Sequence, residues 1–73
     1  MRFLTMDHTG HSVEEFDTMT KDGLSEAMAR FEMLVKEHKN TPAKLGADGN
    51  HTVNRTFDPS AEEYLFVTPL KGG

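Results

Sequence analysis

The chain has 73 residues and a mass of 8.2 kDa, enough for one small domain around a single hydrophobic core, so multidomain enzymes are excluded. Twelve acidic residues against eight basic ones give a net charge of -4, and the only basic grouping is the scattered pair Lys36 and Lys39, which speaks against binding along a nucleic-acid backbone. The absence of cysteine excludes a disulfide framework, a thiolate metal site and a cysteine nucleophile.

The N-terminal segment reads as a hairpin. Arg2 to Asp7 and His11 to Phe16 flank Asp7-His8-Thr9-Gly10, a run of turn formers ending in glycine. Val13 and Phe16 fall on opposite faces of the second strand by the period of two, unless a bulge or the strand end intervenes. No apolar stretch of the kind found in a signal peptide follows Arg2, and no apolar run approaches the length of a membrane span, so the expected location is the cytoplasm, away from membranes.

Residues 22–39 carry the clearest periodicity. Leu24, Ala27, Met28, Phe31, Leu34, Val35 and His38 recur at the three-four spacing of one helical face. Asp22 is the expected N-cap, and Asn40 with Pro42 the expected stop. Glu26 with Arg30 and Glu32 with Lys36 form i, i+4 pairs on the outer face, each contributing a few tenths of a kcal/mol.

A second hairpin follows, with Pro42 to Leu45 and His51 to Phe57 around Gly46-Ala47-Asp48-Gly49-Asn50. Val53, Arg55 and Phe57 alternate with Thr52, Asn54 and Thr56, as a half-buried strand requires. Asp58-Pro59-Ser60-Ala61-Glu62-Glu63 then reads as one helical turn capped by Asp58, with Pro59 at its first position. The last strand, Tyr64-Leu65-Phe66-Val67, is apolar at every position, which places it inside a sheet with both flanks paired. Pro69 ends that pairing.

Hairpin, helix, hairpin, short turn and apolar strand make a two-layer α+β domain in which one sheet face is covered by the helix. The compact solution places the first and last strands side by side and parallel at the centre of a mixed sheet of four to five strands, because a long crossover separates them. That is the β-grasp arrangement, with another two-layer topology such as a split βαβ as the alternative. The expected core is Phe3, Val13, Leu24, Met28, Phe31, Leu34, Val35, Leu65 and Val67.

Element order, the strand beginning at Met1, the turn containing Thr9-Gly10, the helix ending before Pro42 and the terminal Tyr64-Leu65-Phe66-Val67-Thr68-Pro69-Leu70-Lys71-Gly72-Gly73 together resemble the ubiquitin-like proteins. The resemblance covers nearly the whole chain and is carried by local matches. It implies a non-enzymatic protein that acts by protein-protein interaction, with Leu70, Lys71, Gly72 and Gly73 as a conjugation tail, the Gly73 carboxylate as the group activated and joined to an amine, and an activating enzyme or peptidase among its partners. Pro69 departs from that family's usually free tail. The chain is also similar to short uncharacterised proteins of bacteria and their phages that begin near Thr-Met-Asp-His-Thr-Gly and end with Phe-Asp-Pro, Ala-Glu-Glu and Gly-Gly, which implies the alternative of an accessory protein that binds one partner non-covalently.

Other candidate chemistry is thin. His8 and His11 have a His-x-x-His spacing beside Asp7, but zinc needs three or four ligands, and His38 or His51 would have to complete the set; surface histidines of a turn are the simpler reading, and no metal or other cofactor is expected. Glu14-Glu15 and Glu62-Glu63 are adjacent acids whose side chains diverge on a strand, so they do not converge for acid-base catalysis. Met6, Met19, Met28 and Met33 offer adaptable apolar contact, with Met33 off the main stripe. The expected binding surface is the sheet face opposite the helix, with Arg55, Tyr64 and Phe66 as its contact residues.

Overall fold

A computed structural model describes residues 1–7 and 10–68 of the protein, with the side chains of Asp7 and His11 outside the description. The elements are β1 (Arg2–Asp7), β2 (Gly10–Glu15), α1 (Lys21–Lys36), β3 (Thr41–Leu45), β4 (His51–Val53) and β5 (Glu63–Val67). They form a five-stranded mixed sheet in the order β2-β1-β5-β3-β4, with one helix packed on one face. β1 and β5 are parallel, Leu4 opposite Leu65, and every other pairing is antiparallel. β5, apolar from Tyr64 to Val67, lies between β1 and β3, both flanks paired as such a run requires.

Helix α1 begins at Lys21, two residues earlier than an Asp22 cap would place it. Thr20, not Asp22, is the N-cap: its backbone is extended and its Oγ1 accepts from the Gly23 N–H at 3.0 Å. Asp22 lies in the first turn, where its charge still suits the helix dipole. Thr20 is held in place by Asp17, whose carbonyl accepts from the Thr20 hydroxyl and whose Oδ1 accepts from the Met19 N–H. The helix ends at Lys36 rather than Lys39, and the chain reverses at Lys39, which takes a left-handed φ of 58°. Asn40, buried, donates its N–H to the Leu34 carbonyl and leads directly into β3.

Pro42 occupies β3, an interior strand, at the point where its pairing with β4 ends. Its carbonyl accepts from the Asn54 N–H at 3.0 Å, so its nitrogen faces the same side, beyond the end of the three-residue β4. β4 stops at Val53, whereas the alternation of Thr52 to Phe57 predicts a longer strand. The reason is local: Asn54 Oδ1 accepts from the Thr56 N–H at 3.0 Å, bending the chain so that Phe57 turns inward. Residues 58–61 are a turn rather than a helical turn. Asp58 Oδ1 accepts from both the N–H and the hydroxyl of Ser60, and these bonds with the Lys44 ammonium pull its pKa down to about 2.

The core is aromatic. Phe3, Ala27, Phe31, Leu34, Ala61, Tyr64 and Phe66 are buried together, with Met1, Phe16, Val35 and Phe57 packed around them. All six aromatic residues of the chain belong to this one cluster. Phe31 sits at its centre, with ring centroids 5.3 Å from Phe57, 5.1 Å from Tyr64 and 5.7 Å from Phe66, in edge-to-face geometry. Three residues of the expected core lie elsewhere: Val13, Met28 and Val67 are exposed, while Leu24 and Leu65 are only partly buried. The stripe on α1 narrows to Ala27, Phe31 and Leu34 because the rings of Phe3, Tyr64 and Phe66 fill the space beneath them.

Candidate functional site: the open face of the sheet

Strand alternation divides the sheet cleanly. Phe3, Tyr64 and Phe66 point toward α1, so Arg2, Leu4 and Met6 on β1 and Glu63, Leu65 and Val67 on β5 occupy the opposite face. Register carries that face across the remaining strands. Leu4 is opposite Val13 on β2, Leu65 is opposite Ala43 on β3, and Ala43 is opposite Val53 on β4. Val13, Leu4, Leu65, Ala43 and Val53 thus form one unbroken apolar row across all five strands, about 19 Å long at the usual strand spacing. Met6 and Val67 form a second, shorter row beside it.

Among the described residues no helix covers these rows. Val13 is 52% exposed, Val53 57%, Met6 50% and Val67 46%, in contrast to Phe3, Tyr64 and Phe66, which are fully buried on the other face. A contiguous apolar stripe of this kind differs from apolar residues scattered singly over a surface.

One edge of the stripe carries charge. Glu63 has its carboxylate almost fully buried, accepting from Arg2 Nε at 3.0 Å and Arg2 Nη2 at 2.8 Å on one oxygen, and lying 2.9 Å from His51 Nε2 on the other. Burial pushes the Glu63 carboxyl up, but the hydrogen bonds from His51 and Arg2, together with the Arg2 charge, outweigh it and hold the group below its ordinary value. Glu15, paired in register with Arg2, adds an exposed acid to the same edge.

The side chains singled out from the sequence are distributed differently from expectation. Tyr64 and Phe66 do not contact the open face: both have zero exposure and face α1, because β5 is apolar on both sides and its aromatic residues fill the inner one. Arg55 is exposed but lies after β4 has ended, outside the apolar rows. Leu70, Lys71, Gly72 and Gly73 lie outside the described residues, as do His8 and the side chain of His11. Among the described residues no group of three or more histidine, aspartate or glutamate side chains is placed to hold a metal ion. Glu14 is on the helix side, 2.9 Å from Arg30 Nε, whereas Glu15 faces the other way, so the adjacent acids diverge. Met19 and Met33 are exposed on the helix side of the molecule and Met6 on the open face, so the methionines do not make one surface.

Sequence reasoning missed the row itself. Its signal was present in the alternation of Leu4 and Met6 on β1 and in Val13 on β2, but Val13 reads as core until the register shows which face the helix covers. No helix of the structure is long and apolar enough to cross a membrane among the described residues. No protein-family model, curated protein or solved structure matches the chain.

Proposed function

We propose that the protein is a non-enzymatic, ubiquitin-like β-grasp domain that works by docking the open face of its sheet onto another protein. The strand order β2-β1-β5-β3-β4, with a parallel central pair and one helix between the hairpins, supports the β-grasp reading. The row Val13-Leu4-Leu65-Ala43-Val53 is the observation that carries the docking reading, because it sets apolar side chains in register across every strand, with Val13 and Val53 exposed at its two ends. With a net charge of -4 and the acid Glu15 at the edge of the row, the partner surface that fits is apolar with a basic rim.

The test is affinity capture with the intact chain and with Val13→Asp combined with Val53→Asp, against a control variant altered on the helix surface at Glu32→Lys and Lys36→Glu. A partner retained by wild type and the helix variant but lost by the sheet variant, and then bound directly in purified form, supports the reading. Retention by the sheet variant, or self-association of the purified chain as the sole interaction, rejects it.

A second reading, attachment through the Gly73 carboxylate, is favoured by the Leu70-Lys71-Gly72-Gly73 sequence that follows β5. Glycine leaves the reacting carbonyl open on both sides. Trypsin cleavage after Lys71 would leave Gly72-Gly73 on an acceptor lysine, so gene-dependent Gly-Gly-modified lysines in the native host support this reading and their absence rejects it.

A further inference from the structure

The two edges of the sheet are unlike. β4 is three residues long, and the chain bends after it where Asn54 Oδ1 accepts from the Thr56 N–H. β2, at the opposite edge, pairs with β1 without interruption over six residues and holds no proline, lysine or bulge, the usual devices that keep an edge from pairing further. The helix does not shield it. β2 contributes no residue to the core, and Ser12, Val13 and Glu15 are all exposed.

Hydrogen bonding just beyond β2 fixes which of its backbone groups face outward. Met1 and Phe16 exchange both backbone bonds, the N–H of each donating to the carbonyl of the other at 2.9 Å. Counting back from that pair, Glu14, Ser12 and Gly10 turn their N–H and C=O groups toward β1, and Glu15, Val13 and His11 turn theirs away from the sheet. Among the described residues no strand lies beside those outward groups. A second copy of β2, run antiparallel, presents the same pattern in reverse. With a twofold axis at Val13, Val13 stands opposite Val13, Glu15 opposite His11 and Glu14 opposite Ser12. Each facing pair formed by residues 11, 13 and 15 then exchanges two hydrogen bonds, and no acid stands opposite an acid. An axis at Glu14 would set that acid against itself, and one at Ser12 would carry Glu15 past the end of the partner strand. β2 is therefore self-complementary, in backbone and in charge, at one register.

We propose that the β2 edge is an interaction surface for a second copy of this chain, which pairs with it antiparallel about a twofold axis at Val13 and joins the two five-stranded sheets into one. That axis stands perpendicular to the sheet, so both helices lie on one side and both open faces on the other. The two apolar rows meet at Val13 and continue into each other. Both outer edges of the joined sheet are then the short β4 strands, so assembly closes at two copies instead of growing into a filament. The pairing leaves the open face uncovered, and it stands apart from the docking reading.

The experiment is sedimentation equilibrium of the purified full chain over a concentration series, with backbone amide exchange measured on the same samples. A reversible equilibrium between monomer and dimer is expected, in which protection of the Val13 and Glu15 amides rises with the dimer fraction while Ser12 and Glu14, already bonded to β1, keep theirs. Ser12→Glu places an acid opposite Glu14 and should weaken the dimer about tenfold, because the twofold axis counts the change twice, whereas Ser12→Lys should strengthen it. Glu15→Pro removes the outward N–H at both ends of the pairing, keeps the bonds between β1 and β2, and should abolish the dimer. Val53→Asp, on the far edge of the open face, should leave it unchanged. A chain that stays monomeric throughout would overturn the proposal, as would a dimer formed without added protection at Val13 and Glu15. A dimer lost with Val53→Asp but kept with Glu15→Pro would place the contact on the open face instead. Equal weakening by Ser12→Glu and Ser12→Lys would also overturn it, and those two variants decide the matter alone should Glu15→Pro fail to fold.

Discussion

His51 and Glu63 are joined at 2.9 Å although their strands are not neighbours: β3 lies between β4 and β5, and the imidazole reaches over Leu45 to the buried carboxylate. With Arg2 on the other oxygen, one carboxylate ties β1, β5 and β4 together along a single edge. Glu63 titrates below its ordinary value of 4.5 in the folded chain, so the folded state binds its proton less readily than the unfolded state does. Its contribution is therefore complete above pH 4.5 and is lost as the pH falls through the lowered folded value. Glu63→Gln should cost about 1 to 3 kcal/mol at neutral pH and should flatten the acid limb of stability against pH. Urea midpoints from pH 7 down to pH 3 measure both effects, and an unchanged acid limb in the variant would assign the acid sensitivity to other carboxylates.

Gly23 sits in the first turn of α1, where helix propensity favours alanine by about 1 kcal/mol. A Cβ at this position would lie 1.9 Å from the Asp17 carbonyl oxygen, part of the backbone turn that seats the Thr20 cap. Gly23→Ala should destabilise the protein by more than 1 kcal/mol in spite of its better propensity, because relief requires moving that turn. A thermal melt that rises instead would show that the turn is not fixed as described.

The helix, both hairpins, the central parallel pair and the α+β class were legible in the sequence because each rests on a local signal with a physical cause: three-four periodicity, turn residues, or a strand apolar on both sides. What was not legible was which apolar residue faces which way. Val13, Val67 and Leu65 have the hydrophobicity of core residues, and Tyr64 and Phe66 have the composition of a binding surface; the structure exchanges the two roles. The exchange follows from volume, since six aromatic rings in one layer leave no room under α1 for the aliphatic residues of the other face. The Thr20 cap was hidden because Asp22 satisfies the same preference two residues later.

Phe31 touches three other rings and is almost fully buried. Phe31→Ala removes the transfer energy of the side chain and leaves a cavity beneath α1, at a cost of roughly 3 to 5 kcal/mol. For a domain of this size that is a large part of the stability, so the variant should be partly or wholly unfolded at 37 °C by circular dichroism. A cooperative melt at the wild-type temperature would reject the placement of the helix on the aromatic cluster.

Tyr64 separates the two roles an aromatic residue of β5 can have. Its ring is stacked in the core, and its hydroxyl oxygen accepts from the Asp58 N–H at 2.7 Å while facing the Thr56 carbonyl at 3.4 Å. The hydroxyl thus anchors the segment between β4 and β5 to the sheet from beneath, and burial pushes its pKa up. Tyr64→Phe keeps the ring and its packing but leaves the Asp58 N–H without its acceptor, a change that should cost about 1 to 3 kcal/mol although phenylalanine is the more hydrophobic residue. Amide hydrogen exchange should quicken at Asp58 and Ala61 before the rest of the sheet is affected, because only that segment depends on the hydroxyl. If Tyr64 instead served as an exposed contact, the same substitution would leave the melt unchanged and alter partner binding alone, so the two measurements made together on one variant decide between an anchor inside the fold and a contact on its surface.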